Sequence, residues 1–260
     1  PQMAPPIRIT KTLEPVAVTR PDPDVQVFDL GQNFAGWIRL TLDGPAGTTV
    51  RLRYGELLDE RGRVDGMTTV AGHIKEIWNM SGGPGAPPTA YQEDTYVLKG
   101  GGEETFQQKF GFHGFRYVEV VGYPKRLSKE SLVGLRLNSD LPDAGFFECS
   151  NELFNHIQDV VEWTMLSNVF SIQSDCPGRE KLGYGADIIT AAEAYIYNYG
   201  MENFYRKTVY DFQDDVRPNG GLPETAPYMG IQTRGFGDGS GPIGWQLAHP
   251  YLVRELYRYY

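Results

Sequence analysis

SDLPDAGFFECSNELFNHIQDVVEWTMLSNVF, Ser139 to Phe170, is where the chain changes character. It opens with a Pro/Asp/Gly-containing linker, offers Ser150 or Asn151 as a helix N-cap, and then sets Leu153, Ile157, Val160, Val161 and Met165 at helical intervals. Strand-period runs dominate before it, and helical or loop patterning follows it. The chain is therefore read as two domains, a β-rich one over residues 1–140 and an α-helical one over 141–260.

Upstream, Val25 to Leu58 contains three β-rich runs, VQVFDLG, WIRLTLDG and TTVRLRYGELL, with GQNFAG and GPAG as the turns between them. In Trp37 to Leu42, Ile38, Leu40 and Leu42 fall on one face and Trp37, Arg39 and Thr41 on the other, as in a half-buried antiparallel strand. Ile7 to Arg20 reads as an edge strand or entry linker. From about Asp59 to Thr89 the pattern fades into Gly/Pro-rich sequence that cannot sustain a ladder, which predicts a long surface excursion. Strand signals return in DTYVLKG, ETFQQKFGF, FRYVEVVGYP and SLVGLRLNS, a spacing that suggests an antiparallel β-sandwich. The aromatic-rich FGFHGFRYV invites a sugar-stacking surface, but at strand spacing such rings more often form core and cross-strand pairs.

Downstream, the sequence predicts a second helix from Ala186 or Asp187 to Tyr199, a third over Glu202 to Val216, and a fourth from Ile243 to the end. Several of these helices are apolar on more than one side, so they belong to a larger helical assembly.

The densest chemistry lies between the first two helices, in SDCPGREKLGYGAD at Ser174 to Asp187. Pro177 and Gly178 forbid a regular helix through it, which leaves Asp175, Arg179 and Glu180 on a turn held by rigid neighbours. Asp175 and Asp187 would raise the proton affinity of a close Glu180, and Arg179 would lower it. A carboxyl kept protonated near neutral pH is what the leaving-group side of glycosidic cleavage requires. The same residues also suit a capped turn laced with surface ion pairs.

Composition narrows the partners. A net charge of −9 argues against a nucleic-acid or anionic-membrane partner, both of which reward clustered Lys and Arg, and leaves a neutral ligand such as a sugar compatible. Two cysteines and four histidines make no metal-ligand spacing, so no cofactor or metal is expected. The low cysteine count leans toward free thiols in a reducing, cytoplasmic compartment.

The run DCPGREKLGYGAD, Asp175 to Asp187, resembles the signature of the bacterial α-L-rhamnosidases of glycoside hydrolase family seventy-eight. Val27 to Leu58 and Lys109 to Pro124 are similar, in the same order, to the β-sandwich that precedes the catalytic barrel in that family. The resemblance implies a β-sandwich followed by the first helices of an (α/α)6 toroid, and inverting release of terminal α-L-rhamnose from rhamnose-containing glycosides. It implies Glu180 as general acid, with Asp175, Arg179 and Asp187 binding sugar hydroxyls. Tyr184 stands where the family commonly has Trp, keeping an aromatic wall and adding a hydroxyl. Asp238 and Trp245 lie in a Gly-rich loop comparable to another pocket-lining segment. Glu224, in LPETAP, is read as a loop-surface residue rather than a pocket carboxylate. The resemblance places the general base in a later part of the barrel, so the 260 residues are expected to be a piece of a longer enzyme, inactive alone. The alternative is a non-catalytic carbohydrate-binding or scaffold protein with the same fold.

Overall fold

A computed structural model describes residues 2–69, 91–230 and 238–260. Its contacts divide into two compact units: Ile9–Leu137 with Pro177–Arg179, and Pro1–Arg8 with Asn138–Cys176 and Glu180–Tyr260.

The β unit is built on one long strand. The strands are β1 (Ile7–Leu13), β2 (Ala17–Asp22), β3 (Val25–Asp43), β4 (Thr49–Gly55), β5 (Gln92–Val97), β6 (Glu103–Gln107), β7 (His113–Val121) and β8 (Leu132–Ser139). Hydrogen bonding runs β1-β8-β3-β7-β4-β5, and β2 and β6 also pair with β3. Among the described residues β3 and β4 pair antiparallel with their neighbours. At its start β3 lies between β2 and β7 (Phe28 faces Val18 and Val118), and at its end between β8 and β6 (Leu40 faces Leu132 and Phe106).

GQNFAG, predicted as a turn, is instead an irregularity inside this strand. The register against β7 shifts between Asp29 and Phe34. Gly31 sits there at φ +75, a conformation that Gly adopts without steric cost, and its N–H donates to Asp29 Oδ1 at 2.7 Å. The extra residues are absorbed without breaking the strand, and β3 goes on pairing with β7 on both sides of the bulge. Beyond the bulge the predicted alternation holds: Ile38, Leu40 and Leu42 are buried and Arg39 is exposed. The core around them takes Phe28, Phe34, Leu52, Tyr54, Phe115 and Val118, all without exposed surface. Phe115 meets Phe34 at 4.7 Å and Tyr54 at 5.0 Å between ring centroids, the cross-strand packing expected of FGFHGFRYV. Phe110 of the same stretch is 99% exposed, which that expectation does not cover.

The described part of the predicted surface excursion, 59–69, is tied back to the β unit. Leu58 bridges Val64, Val64 and Thr69 are buried, and Arg63 Nη2 lies 2.9 Å from Glu119 Oε1. A buried carboxylate on β7 thus recruits a segment whose polarity reads as loop. The remainder of that expectation, 70–89, lies outside the described residues.

In the helical unit α1 is Glu152–Leu166, α2 Gly185–Asn198, α3 Glu202–Asp214, α4 Ile243–Gln246 and α5 Ala248–Tyr259. Asn151 caps α1, its side chain accepting from Leu153 N at 3.0 Å. The single helix predicted from Ile243 is broken at Leu247. Pro250 has no N–H for the carbonyl of Gln246 but is tolerated in the first turn of a new helix, so the chain restarts at Ala248. The core of the unit joins Ile188, Ala192 and Tyr195 of α2, Phe204, Tyr205 and Phe212 of α3, and Ala248 and Leu252 of α5. Both cysteines are free thiols, and no described helix is long and apolar enough to cross a membrane.

Candidate active site

Chain crossings hold the motif turn from below. Asp175 N donates to Leu182 O at 3.0 Å, and Leu182 N donates back to Asp175 Oδ1 at 2.9 Å, closing the loop over Pro177 and Gly178. Lys181 takes φ +58 within this closure. Glu180 N donates to Cys176 Sγ at 3.1 Å. The tip, Pro177–Arg179, groups with the β unit. There the position of a Cβ on Gly114 would lie 2.9 Å from Pro177 Cγ, so only Gly admits this approach.

From the other side, Leu222 to Ala226 runs beside the motif. Gly185 N donates to Glu224 O at 2.9 Å, Ala226 N to Gly183 O at 3.0 Å, and Tyr184 bridges Thr225. Glu224 is 2% exposed, which corrects its assignment as a loop-surface residue. Its backbone is a rail for the motif, and Gly241 packs so tightly on it that a Cβ would come within 2.6 Å. Gln173 is a second buried polar support that the sequence did not single out. Its Oε1 accepts from Tyr205 Oη at 2.8 Å and its Nε2 donates to Asp187 O at 3.3 Å, tying α3 to the first turn of α2.

The site carboxylates occupy different surroundings. Glu180 is exposed, and Tyr184, itself 8% exposed, donates its hydroxyl to Glu180 Oε2 at 2.8 Å. The hydroxyl that distinguishes Tyr from Trp is therefore bonded to the Glu180 carboxyl. Asp175 and Asp187 line a hollow of about 320 Å³ with Gln173, Ser174, Asn168 and Thr190. Burial, and then the negative charge of Asp175 with a smaller contribution from Glu180, push the Asp187 carboxyl above its ordinary value. The structure thus brings together Asp175 with Asp187, and Glu180 with Tyr184. Arg179 is exposed at the turn's tip.

The looser candidates sit differently. Asp238 accepts from Asn219 Nδ2 and, through Oδ1, from Ser240 N at 2.9 Å, and Ser240 N is the main reason its carboxyl is held below the usual range. Trp245 is half-buried in α4, and its backbone crowds Gly185, where a Cβ would lie 2.1 Å from the Trp245 carbonyl oxygen. Among the described residues no group of three or more His, Cys, Asp or Glu could hold a metal ion.

Comparison with known proteins adds identity to this geometry. Residues 19–138 match the bacterial alpha-L-rhamnosidase concanavalin-like domain, and residues 142–260 the bacterial alpha-L-rhamnosidase 6 hairpin glycosidase domain. The chain is 35% identical over 255 residues to an alpha-L-rhamnosidase of Streptomyces avermitilis, covering 96% of this chain and 23% of that one. It is 32% identical over 267 residues to an alpha-L-rhamnosidase of Formosa agariphila, covering 100% and 26%. The structure matches that of the alpha-L-rhamnosidase from Dictyoglumus thermophilum at a TM-score of 0.83 and 34% identity, over 97% of this chain and 26% of that one. It matches the Streptomyces avermitilis alpha-L-rhamnosidase complexed with L-rhamnose at 0.81 and 34%, over 99% and 24%. The chain spans about a quarter of the length of these relatives.

Proposed function

Since the chain belongs to the bacterial α-L-rhamnosidase family, we propose that it carries the acid half of an inverting glycosidase acting on terminal α-L-rhamnosides. The observation that carries this reading is the pair formed by Glu180 and Tyr184: an exposed carboxyl on a braced turn, oriented by a buried hydroxyl. Glu180 gives its proton to the glycosidic oxygen as the bond to the anomeric carbon breaks, and water adds from the opposite face of the sugar. The carboxylate that takes the proton from that water stands roughly 6.5–9.5 Å from the acid in an inverting pair. We assign it to a part of the parent enzyme outside these residues.

Asp175 and Asp187, on the floor of the hollow, accept hydrogen bonds from the sugar hydroxyls, with Arg179 donating from the tip. Asp238 and Trp245 belong to the outer wall. The working division is a β domain over 1–140 and a helical domain over 141–260, supported by matched ranges that meet between 138 and 142.

The test is Glu180→Gln in the full-length parent. Loss of about 10²–10⁴-fold in kcat on an activated rhamnoside, with rhamnose binding retained, is expected. Undiminished turnover would remove Glu180 from the role. Asp187→Asn sharpens the point. With its carboxyl pushed up, Asp187 ionises at a higher pH than an ordinary aspartate, and the acid limb of kcat/KM is expected to move up with it. The variant is expected to bind rhamnose more weakly and to lose that limb. An unchanged pH profile would detach Asp187 from the sugar.

A further inference from the structure

The β unit carries a cleft that the proposed reaction leaves unused. It holds about 600 Å³, within the range of small-molecule sites, and its lining includes Asp94, Tyr96, Phe106, Gln107, Phe110 and His113. Phe110, 99% exposed, shares the cleft with the Tyr96 and Phe106 rings, whose centroids are 5.3 Å apart. Three aromatic side chains beside one carboxylate are more than a stray apolar side chain on a surface.

The segment bearing Phe110 is fixed at both ends. Gln108 Oε1 accepts from Ile38 N at 3.0 Å, and its Nε2 reaches Tyr54 Oη at 2.5 Å and Asp94 Oδ2 at 3.0 Å. Gly111 O accepts from Trp37 Nε1. Such fixing lowers the entropy lost when a ligand docks. Asp94 is oriented by His113 Nε2 at 3.0 Å, and the His113 ring stacks on Tyr54 at 4.3 Å. Burial pushes the Asp94 carboxyl up, but the bonds from His113, Tyr54 and Gln108 outweigh it and keep an acceptor anion. Asp94 and Lys109 in the lining carry opposite charges, so no single sign of charge dominates the cleft.

We propose that this cleft is a second carbohydrate site, taking a neutral pyranose whose C–H face stacks on Phe110 while its hydroxyls donate to Asp94. It is separate from the rhamnoside-cleaving reading and stands or falls without it. The 260-residue chain, labelled with ¹⁵N, is titrated with L-rhamnose, D-glucose and a rhamnosyl-glucose disaccharide in turn. Saturable shifts at residues 106–113 are expected with at least one of them. Phe110→Ala should weaken that binding about tenfold or more, Phe110→Tyr should keep it, and Glu180→Gln should leave it unchanged. Because Phe110 is fully exposed, its truncation removes no core contact, and the remaining spectrum reports an intact fold. No saturable shift in the cleft with any of the three sugars, or shifts that Phe110→Ala leaves unaltered, would overturn the site. Shifts at Asp175 and Asp187 alone would support the motif hollow and refute the cleft.

Discussion

β3 and α1 carry equally clear apolar periodicities and meet different fates. Phe28, Phe34, Ile38 and Leu40 of β3 have no exposed surface, and on the core face the Phe34 ring meets Phe115 at 4.7 Å. On α1, Leu153, Ile157 and Val160 stand at 62%, 49% and 50% exposed, and Met165 is the buried residue of the helix. The contrast teaches that periodicity identifies a face, while burial depends on what supplies its cover. In the β unit the cover comes from side chains packed across the core, as Phe34 and Tyr54 pack on Phe115; along most of α1 it does not come from the described residues.

The sharpest way to break this contrast is Phe115→Ala, which empties the centre of the β core. A loss of about 3–5 kcal/mol in urea unfolding is expected, and a loss below about 1 would show that the strands do not depend on that packing. Asp29→Asn comes next, at about 1 kcal/mol or less, because its two bonds to Arg116, both 2.8 Å, lie partly in solvent. The bond from Arg116, the leading cause, holds the Asp29 carboxyl below its ordinary value. The folded state therefore binds fewer protons than the unfolded one as acid is added. The stabilisation is present above the unfolded value near 3.8 and is lost as pH falls through the folded one, so wild type and variant should converge in acid. A difference that grows in acid would reverse the sign. The smallest effect is expected for Ile157→Ala, within about 0.5 kcal/mol for this chain, and a cost comparable with Phe115→Ala would mean that the α1 face is covered after all.

The outline of both units was legible from side-chain period alone. Trp37 to Leu42 declares a strand, Asn151 and the spacing from Leu153 declare a helix, and the Pro/Gly-broken motif declares a turn dense in carboxylates. What escaped has a common physical origin, in groups whose role depends on distant partners. The Gly and Asn of GQNFAG serve a bulge as well as a turn, and only the strands flanking β3 decide between them. Glu224 and Gln173 are buried through contacts across the helical unit that no local pattern announces. Arg63 looks like loop until Glu119, 56 residues later, takes it in. At the site, the chemistry of Tyr184 was half visible: the added hydroxyl could be read, its target could not.

The length of β3 also sets a clock. Gly36 pairs with His113 on one edge and with Arg136 on the other, partners that are made some 77 and 100 residues later. At a synthesis rate of about 5–20 residues per second, the central strand waits roughly 5–20 s on the ribosome before its last neighbour exists. Loop closure over such separations is slow even once the partner is present. Nascent chains halted before Leu132 should therefore remain open to protease at β3, and those halted well past Ser139 should not. During that interval the longest strand of the finished protein is its most adhesive, and a cell producing it relies on whatever shields an unfinished edge.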